Sequence, residues 1–253
     1  MASGTDSRRL LRDGIADLRQ AWSMRSGWSS LAQQDLVSSY RRTVIGPFWI
    51  SIQQLSFVFG IGLLYTSLFK VDARDHVPLV AFGILIFGLW TRLISGATST
   101  FISAGPSIKS STLPMSFHVF HGVANEFLVF IHIAIVTAIV PVLYGLAPSF
   151  WSIIVTPVGI FLVLLNGVSF GLWLGPLSAR FRDIQVGIGA ILQLGLFVTP
   201  VFWDAERLGR HHWAVVYNPF AWVVLTIRGP LLGLNVDWTL ALSLVCFSCL
   251  NFI

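Results

Sequence analysis

Few residues of this sequence have side chains that could do acid–base chemistry within an apolar segment. Arg92, Glu126 and His132 each lie in or beside a long apolar run. Ionisable groups at membrane depth mark substrate paths, proton relays or ion pairs between helices. An intramembrane enzyme needs such groups gathered at one depth, and the sequence does not show these three together. For Arg92 we weigh a substrate-path contact against a helix–helix ion pair or snorkelling, and favour the latter because the sequence names no partner.

Two further pairs have a spacing that would suit metal or redox chemistry. His118 and His121 are three residues apart, but a metal site needs more ligands at suitable spacing, so we expect ordinary interfacial side chains. Cys246 and Cys249 form a C-x-x-C pair within the last apolar run, where we expect them to face lipid or a neighbouring helix. The sequence contains no Walker A phosphate loop, no G-x-S-x-G elbow and no H-E-x-x-H motif. We therefore predict no catalytic residue, no metal site and no bound cofactor.

The elements that position these residues are predicted to be membrane-spanning helices. Of the 253 residues, 55% are hydrophobic and only 11% are charged, against about 25% charged in an ordinary soluble domain. Too little polar surface remains to face water. The formal charge of +5 does not indicate nucleic-acid binding, because the basic residues flank apolar runs instead of forming one stripe.

The apolar pattern predicts an all-α polytopic protein with six transmembrane helices. Residues 1–42 form a cytoplasmic lead-in with an amphipathic interface helix, and 43–253 form a single transmembrane domain. The apolar face of the lead-in helix comprises Leu11, Ile15, Leu18 and Trp22; it suits the bilayer interface or another protein. The spans are expected at about 47–69, 78–104, 124–144, 151–177, 186–203 and 238–253.

The distribution of basic residues predicts the orientation. With a cytoplasmic N-terminus, ten Lys and Arg fall on the inner side and five on the outer side. The segment 105–122 is then an inner loop in which Pro114 starts a short helix. The segment 204–236 is external, and its part from Phe220 to Leu234 is too short to span, so it suits a re-entrant or interfacial helix.

Glycines recur in the predicted fourth span with a period of four residues. Gly167, Gly171 and Gly175 would lie on one helix face. Such a ridge of small residues predicts the close approach of another helix.

Aromatic side chains are abundant, with 20 Phe, 10 Trp and 4 Tyr. Interfacial belts explain the Trp residues near predicted span ends. They explain less well Phe57, Phe59, Trp90 and Trp173, which lie within spans. If these rings and Arg92 face a shared pathway, they offer flat surfaces to the C–H faces of sugar rings, so we take them as candidate substrate-path residues.

An ordered set of motifs resembles one known family from about residue 30 onward. The motifs are Tyr40-Arg41-Arg42-Thr-Val-Ile-Gly46-Pro47-Phe-Trp49, Leu113-Pro114, Ala179-Arg180-Phe-Arg182-Asp183-Ile, Thr199-Pro200, Asn218-Pro219-Phe220 and Arg228-Gly-Pro230-Leu-Leu-Gly233. Together they resemble the membrane (permease) subunits of polysaccharide-exporting type-2 ABC transporters, which carry O-antigen, capsule and teichoic-acid chains.

The resemblance implies a homodimer of six-span permeases in the inner membrane that recruits two copies of a separate ATPase. ATP would be bound by that partner, and a lipid-linked polysaccharide would pass between the two protomers. The expected end of the sixth span is missing, so the resemblance predicts more helix and a basic tail after residue 253.

The resemblance also implies two groups of site residues. A coupling helix within 105–121 would dock on the ATPase beside the Arg pair; the residues of this group are Arg41, Arg42, Lys109, Pro114 and Phe117. The 204–234 segment would form outer gate helices; the residues of this group are Asn218, Pro219, Arg228 and Pro230.

The sequence therefore favours a polysaccharide-export permease driven by a partner ATPase. Two alternatives stay open. One is a type-2 ABC exporter of a drug or small lipid, and the other is an intramembrane enzyme that modifies glycans.

Overall fold

The protein is all-helical, with short connections between the helices, in the part of the chain that its computed structural model describes, residues 3–39, 45–46 and 48–252, where no strand occurs. The α-helices in chain order are α1 (Ser3–Ser23), α2 (Arg25–Ser39), α3 (Phe48–Phe69), α4 (Ala73–Ser103), α5 (Gly105–Ser110), α6 (Met115–Thr137), α7 (Ile139–Tyr144), α8 (Ser152–Arg180), α9 (Asp183–Val198), α10 (Trp213–Val216), α11 (Pro219–Leu231) and α12 (Trp238–Phe252). A 3₁₀ helix covers Ala205–His211.

Four helical stretches are long and apolar enough to cross a membrane: Phe48–Phe69, Ala73–Ser110, Met115–Tyr144 and Ser152–Arg180. The second combines α4 with α5, and the third combines α6 with α7. Two shorter apolar helices, α9 and α12, have 16 and 15 residues. The fold is thus that of an all-helical, multi-pass membrane protein, with four candidate spans among the described residues.

The bundle has two ends, which we name by their content. The proximal end contains α1, α2, α5 and the first two turns of α6. The distal end contains the connections 145–151 and 199–218. Helices α3, α6 and α9 run from the proximal to the distal end, and α4 and α8 return.

Helix α4 is the centre of the bundle. It packs against α8, α6, α3, α11 and α9, and most of its apolar length is buried. The reason is its composition, because apolar side chains occur on every face from Val77 to Ala97; a helix that is apolar all round is buried. Helices α3, α6, α8 and α9 each have exposed residues as well as buried ones, whereas α11 has no exposed residue.

The glycine ridge of α8 is where helices approach most closely, as the sequence predicted. A Cβ on Gly171 would lie 2.4 Å from a methyl of Val119 in α6. A Cβ on Gly167 would lie 2.9 Å from Leu93 of α4. Both distances are far inside van der Waals contact, so only glycine permits this packing, and the prediction is confirmed.

Two helices differ from what the sequence predicted. The helix of the second predicted span starts at Ala73, ahead of Pro78, because Asp72 caps it by accepting a hydrogen bond from the Arg74 amide (2.9 Å). Pro114 does start a helix, as predicted, but this helix is not short, because Pro114 is the N-cap of the continuous helix α6. The short helix of this segment is α5, Gly105–Ser110. Nothing between 115 and 137 breaks a helix, so this segment joins the third span.

Candidate functional site

The described members of the predicted coupling group lie at the proximal end. Arg41 and Arg42 fall outside the described residues. Lys109 is exposed in the last turn of α5. Pro114 is buried at the start of α6. Of these two residues, only Lys109 places a charge on the surface.

Phe117, the fifth predicted coupling residue, is only 5% exposed. Its ring lies 3.5 Å from the position that a Cβ on Gly27 of α2 would take. Phe117 therefore fastens α6 to the N-terminal helices in this protomer. Its contact with an ATPase stays a prediction.

Arg92 has a charged neighbour that the sequence did not name. Its Nε lies 3.3 Å from Oε2 of Glu126, so the pair joins α4 to α6. The side chains are 29% and 22% exposed. Gly88, one turn before Arg92, leaves room for the guanidinium, whose nearer nitrogen would lie 3.1 Å from a Cβ there. His132 stands apart from the pair, with Nδ1 3.0 Å from the carbonyl oxygen of Leu128 in its own helix.

The aromatic path candidates have different surroundings. Phe57 is 46% exposed, and its ring centroid is 6.1 Å from that of Phe202 at the distal end. Phe59 is half-buried against a small apolar cluster at the α3–α4 contact. Trp90 is 2% exposed and lies within the central core. Trp173 is 49% exposed. The structure thus leaves Phe57 and Trp173 open on the surface of the protomer, and the path role of all four stays a prediction.

Trp173 belongs to a polar network that sequence reasoning missed. Its Nε1 donates to Oδ1 of Asn251 (3.2 Å), and Asn251 in turn donates to Oδ1 of Asn166 (2.9 Å). The Asn166 amide also donates to the hydroxyl of Ser248 (2.7 Å). Ser169 donates to the carbonyl of Asn251. This network fixes α12 on α8, and its sequence signal was an asparagine within the apolar run of each helix.

The predicted outer gate residues form one connected cluster at the distal end. Asn218 caps α11 by accepting from the Phe220 amide (2.9 Å), and it donates to the hydroxyl of Thr199 (3.2 Å). Pro219 occupies the first turn of α11, where a missing N–H costs nothing. The carbonyl of Pro230 accepts from the Ser149 amide (2.9 Å). Both ends of α11 are therefore tied to distal connections.

Arg228 holds the turn after α9 from inside the protein. It is 3% exposed, and its Nη1 donates to the carbonyls of Pro200 (2.6 Å) and Val201 (3.4 Å). Gly83 of α4 is needed beside it, since a Cβ there would lie 2.5 Å from the Val201 oxygen. A buried guanidinium is costly unless it is hydrogen-bonded, so the two carbonyls must stay within reach of Arg228. Arg228 therefore sets the position of this turn relative to α4 and α11.

A cavity of ≈ 500 Å³ lies at the distal end between α3, the start of α4 and the segment after α9. Its lining comprises Tyr65, Phe69, Val71, Asp72, Asp75, His76, Leu79, Phe202, Trp203 and Asp204. Four of these residues are aromatic and three are carboxylates. Aromatic faces pack on the C–H faces of sugars, and carboxylates accept hydrogen bonds from hydroxyls. The chemistry of the lining therefore suits a carbohydrate.

A second cavity, of ≈ 960 Å³, lies at the proximal end between α1, α5 and the ends of α4 and α8. Its apolar lining includes Ile15, Leu18, Phe101, Ile108 and Leu172.

Among the described residues, no three His, Cys, Asp or Glu side chains are grouped as metal ligands would be. The described part of the chain thus offers two cavities and a partly buried ion pair.

Comparison with known proteins then decides the family. The family model described as ABC-2 type transporter matches residues 27–232, from α2 to the end of α11. The chain is an ABC-2 type transporter permease. The permease is also similar to the O-antigen export system permease protein RfbA of Myxococcus xanthus, with 23% identity over 195 residues, which cover 76% of this chain and 73% of the relative. Both comparisons support a permease subunit of a type-2 ABC transporter, as the sequence motifs predicted.

Membership of this family implies that the permease works with an ATP-binding partner. It also indicates a transport subunit and not an enzyme. The residues of both predicted groups, coupling and outer gate, lie within the range 27–232 that matches the family model.

Proposed function

We propose that this permease exports a lipid-linked polysaccharide across the inner membrane, as a homodimer driven by a separate ATPase subunit. The observation that carries the proposal is the distal cavity, in which Trp203, Phe202 and Tyr65 stand beside the carboxylates of Asp72 and Asp204. The similarity to an O-antigen export permease supports the same substrate class.

In this proposal the proximal end faces the cytoplasm, α9 and α12 cross the membrane as the fifth and sixth spans, and α1 lies at the inner interface. Helix α11 then dips into the membrane from outside as part of the outer gate. The two-fold excess of basic residues on the proximal side supports this orientation.

Exposed polar residues on two apolar helices support a dimer with a path between the protomers. On α3, Gln53 and Ser56 are exposed on the face that also contains Gly60. On α9, Gln185 and Gln193 are exposed on one face, eight residues apart. Amides are costly against lipid, so such faces belong against a second protein or a water-filled passage. We assign both faces to the passage, and Phe57 of α3 would contribute an aromatic surface to it.

One observation favours a second candidate, an exporter of a small lipid or drug. The proximal cavity of ≈ 960 Å³ has largely apolar walls, which suit an apolar molecule better than a glycan. Deletion of the permease gene separates the two candidates. The glycan exporter predicts that undecaprenyl-linked glycan accumulates at the inner face of the membrane. Unchanged glycan together with lost resistance to apolar compounds would favour the second candidate.

The two lysines of the chain provide a matched test of the coupling end. Lys109 is exposed at the proximal end, and Lys70 is exposed at the distal end. We expect Lys109→Glu to reduce ATP-driven glycan export in proteoliposomes that contain the ATPase, because a reversed charge opposes docking. Lys70→Glu makes the same charge change far from the docking face and should leave ATP hydrolysis unchanged.

Both variants should insert in the membrane in normal amounts. Equal ATP hydrolysis and export in the two variants would remove Lys109 from the docking face. Export by the wild-type permease without any ATPase would refute the proposed function itself.

A further inference from the structure

The N-terminal helices are fastened to the start of α6 by a carboxylate from a distant part of the chain. Asp17 of α1 accepts hydrogen bonds from two successive backbone amides, Met115 to Oδ1 (3.0 Å) and Ser116 to Oδ2 (2.9 Å). The N-cap residue of α6, Pro114, makes no side-chain cap hydrogen bond. Asp17 therefore supplies, from 98 residues away, the cap that α6 lacks locally. A carboxylate at a helix N-terminus also interacts favourably with the helix dipole.

An aromatic contact lies beside this cap. Phe120 of α6 stacks on Trp28 with a centroid distance of 5.7 Å, and it meets Trp22 edge-on at 5.7 Å. Trp28 also donates from Nε1 to the carbonyl of Ala21 (3.1 Å), which fixes the turn between α1 and α2. The two N-terminal helices therefore meet α6 as one unit.

A polar pair completes the attachment. Asp35 of α2 has Oδ2 2.9 Å from Nε2 of His121. The contacts of Asp17, Phe120 and His121 all fall within the first two turns of α6. Any displacement of this part of α6 must therefore move α1 and α2 as well, or break these contacts.

We propose that Asp17 is a positioning residue that links the N-terminal helices to the start of α6, directly after the segment 105–114, so that a movement of this segment reaches α1, α2 and α6 together. The proposal rests on the proposed function only in taking 105–114 as the face that docks on the ATPase. Asp17 contacts neither ATP nor substrate; it acts through the start of α6. Its loss should leave assembly intact and reduce the export obtained for each ATP hydrolysed.

The test compares two aspartates of one helix. Asp13 lies one turn before Asp17, is exposed and takes no part in the cap. We expect Asp17→Ala to lower the glycan exported per ATP several-fold, because the start of α6 loses both its cap and its tie to α1. Asp13→Ala should retain the wild-type ratio. Equal ratios in the two variants would overturn the proposal.

A disulfide distinguishes the two roles of Asp17, which are to join α1 to α6 and to cap the N-terminus of α6. In a chain with Cys246→Ser and Cys249→Ser, the pair Asp17→Cys and Ser116→Cys removes the cap but permits a reversible covalent link, closed by copper phenanthroline and opened by dithiothreitol. We expect low export per ATP in the reduced complex and restored export in the oxidised complex. Because both states are the same sample, a difference between them cannot come from misfolding.

Three outcomes would overturn the proposal: no cross-link, a normal ratio in the reduced state, or a low ratio in both states despite full cross-linking. The last result would make Asp17 a helix cap alone. A cysteine-free parent complex that hydrolyses ATP but exports no glycan would count against the proposed function. In that case the Asp17 comparison is read from ATP hydrolysis in the oxidised and reduced states.

Discussion

The ion pair between α4 and α6 gives the sharpest test of how this bundle is held together. Arg92→Met leaves the carboxylate of Glu126 partly buried without its partner, and Glu126→Met leaves the guanidinium of Arg92 partly buried without its partner. We expect each single variant to be destabilised. The double variant Arg92→Met with Glu126→Met replaces both charges by apolar groups of similar length and should be close to wild type.

The size of the effect follows from the geometry. Two unit charges about 4 Å apart attract by about 4 kcal/mol at the effective dielectric constant of a partly solvated protein site. The exposure of 29% and 22% admits solvent that screens part of this attraction. Each single variant should therefore lose about 2–3 kcal/mol, and the double variant less than about 1 kcal/mol, because removing a buried pair together is often neutral.

The measurement is the free energy of unfolding in mixed micelles during titration with dodecyl sulfate, with export assayed on the same samples. Thr91→Val serves as control, since the Thr91 hydroxyl bonds to carbonyls of its own helix, such as that of Phe87 at 2.9 Å. If the loss of unfolding free energy in the double variant equals the sum of the losses in the two single variants, the ion pair is refuted. A stable double variant without export would instead assign Arg92 to the substrate path, the alternative that the sequence left open.

Two further predictions concern the packing of α8 and the distal turn. Gly171→Ala should destabilise the permease by about 1–3 kcal/mol, because its Cβ would meet Val119 at 2.4 Å, whereas Gly187→Ala on α9, with no atom within 4 Å, should be neutral or slightly stabilising in the same unfolding assay. Arg228→Met should lower the free energy of unfolding by about 2–4 kcal/mol, because it leaves two buried carbonyls unsatisfied. Arg228→Lys should recover part of this loss. An unfolding free energy equal to that of the wild type for Arg228→Met would contradict the role of this residue in holding the turn after α9.

The lengths of the apolar runs and the helix-breaking residues between them made most of the helices predictable. The uncharged run that begins at Phe48 ends at Phe69 in both the prediction and the structure. The glycine period in α8 also predicted close packing correctly, because spacing alone places these residues on one face. The starts of α4 and α6 were less predictable. Asp72 caps α4 locally and was overlooked, but the cap of α6 comes from Asp17 and depends on the tertiary fold.

The site was predictable in its parts and not in its connections. The motif residues Asn218 and Arg228 were identified, but only the structure shows that both hold the turn that starts at Thr199. Likewise, Arg92 and Glu126 were both noticed as unusual, and no pattern within either helix indicated that they would meet.

By itself, the sequence determined the class of protein. A low content of charge, long apolar runs and an ordered set of motifs specify a helical ABC-2 permease. These features can be recognised from the sequence because hydropathy and turn chemistry depend on residues that are close along the chain. The tertiary structure decided which polar groups meet: Arg92 with Glu126, and Asp17 with the amides that open α6. Hydrogen bonds and ion pairs act over a few ångströms, so the residues that share them are chosen by how the helices pack and not by their distance along the chain.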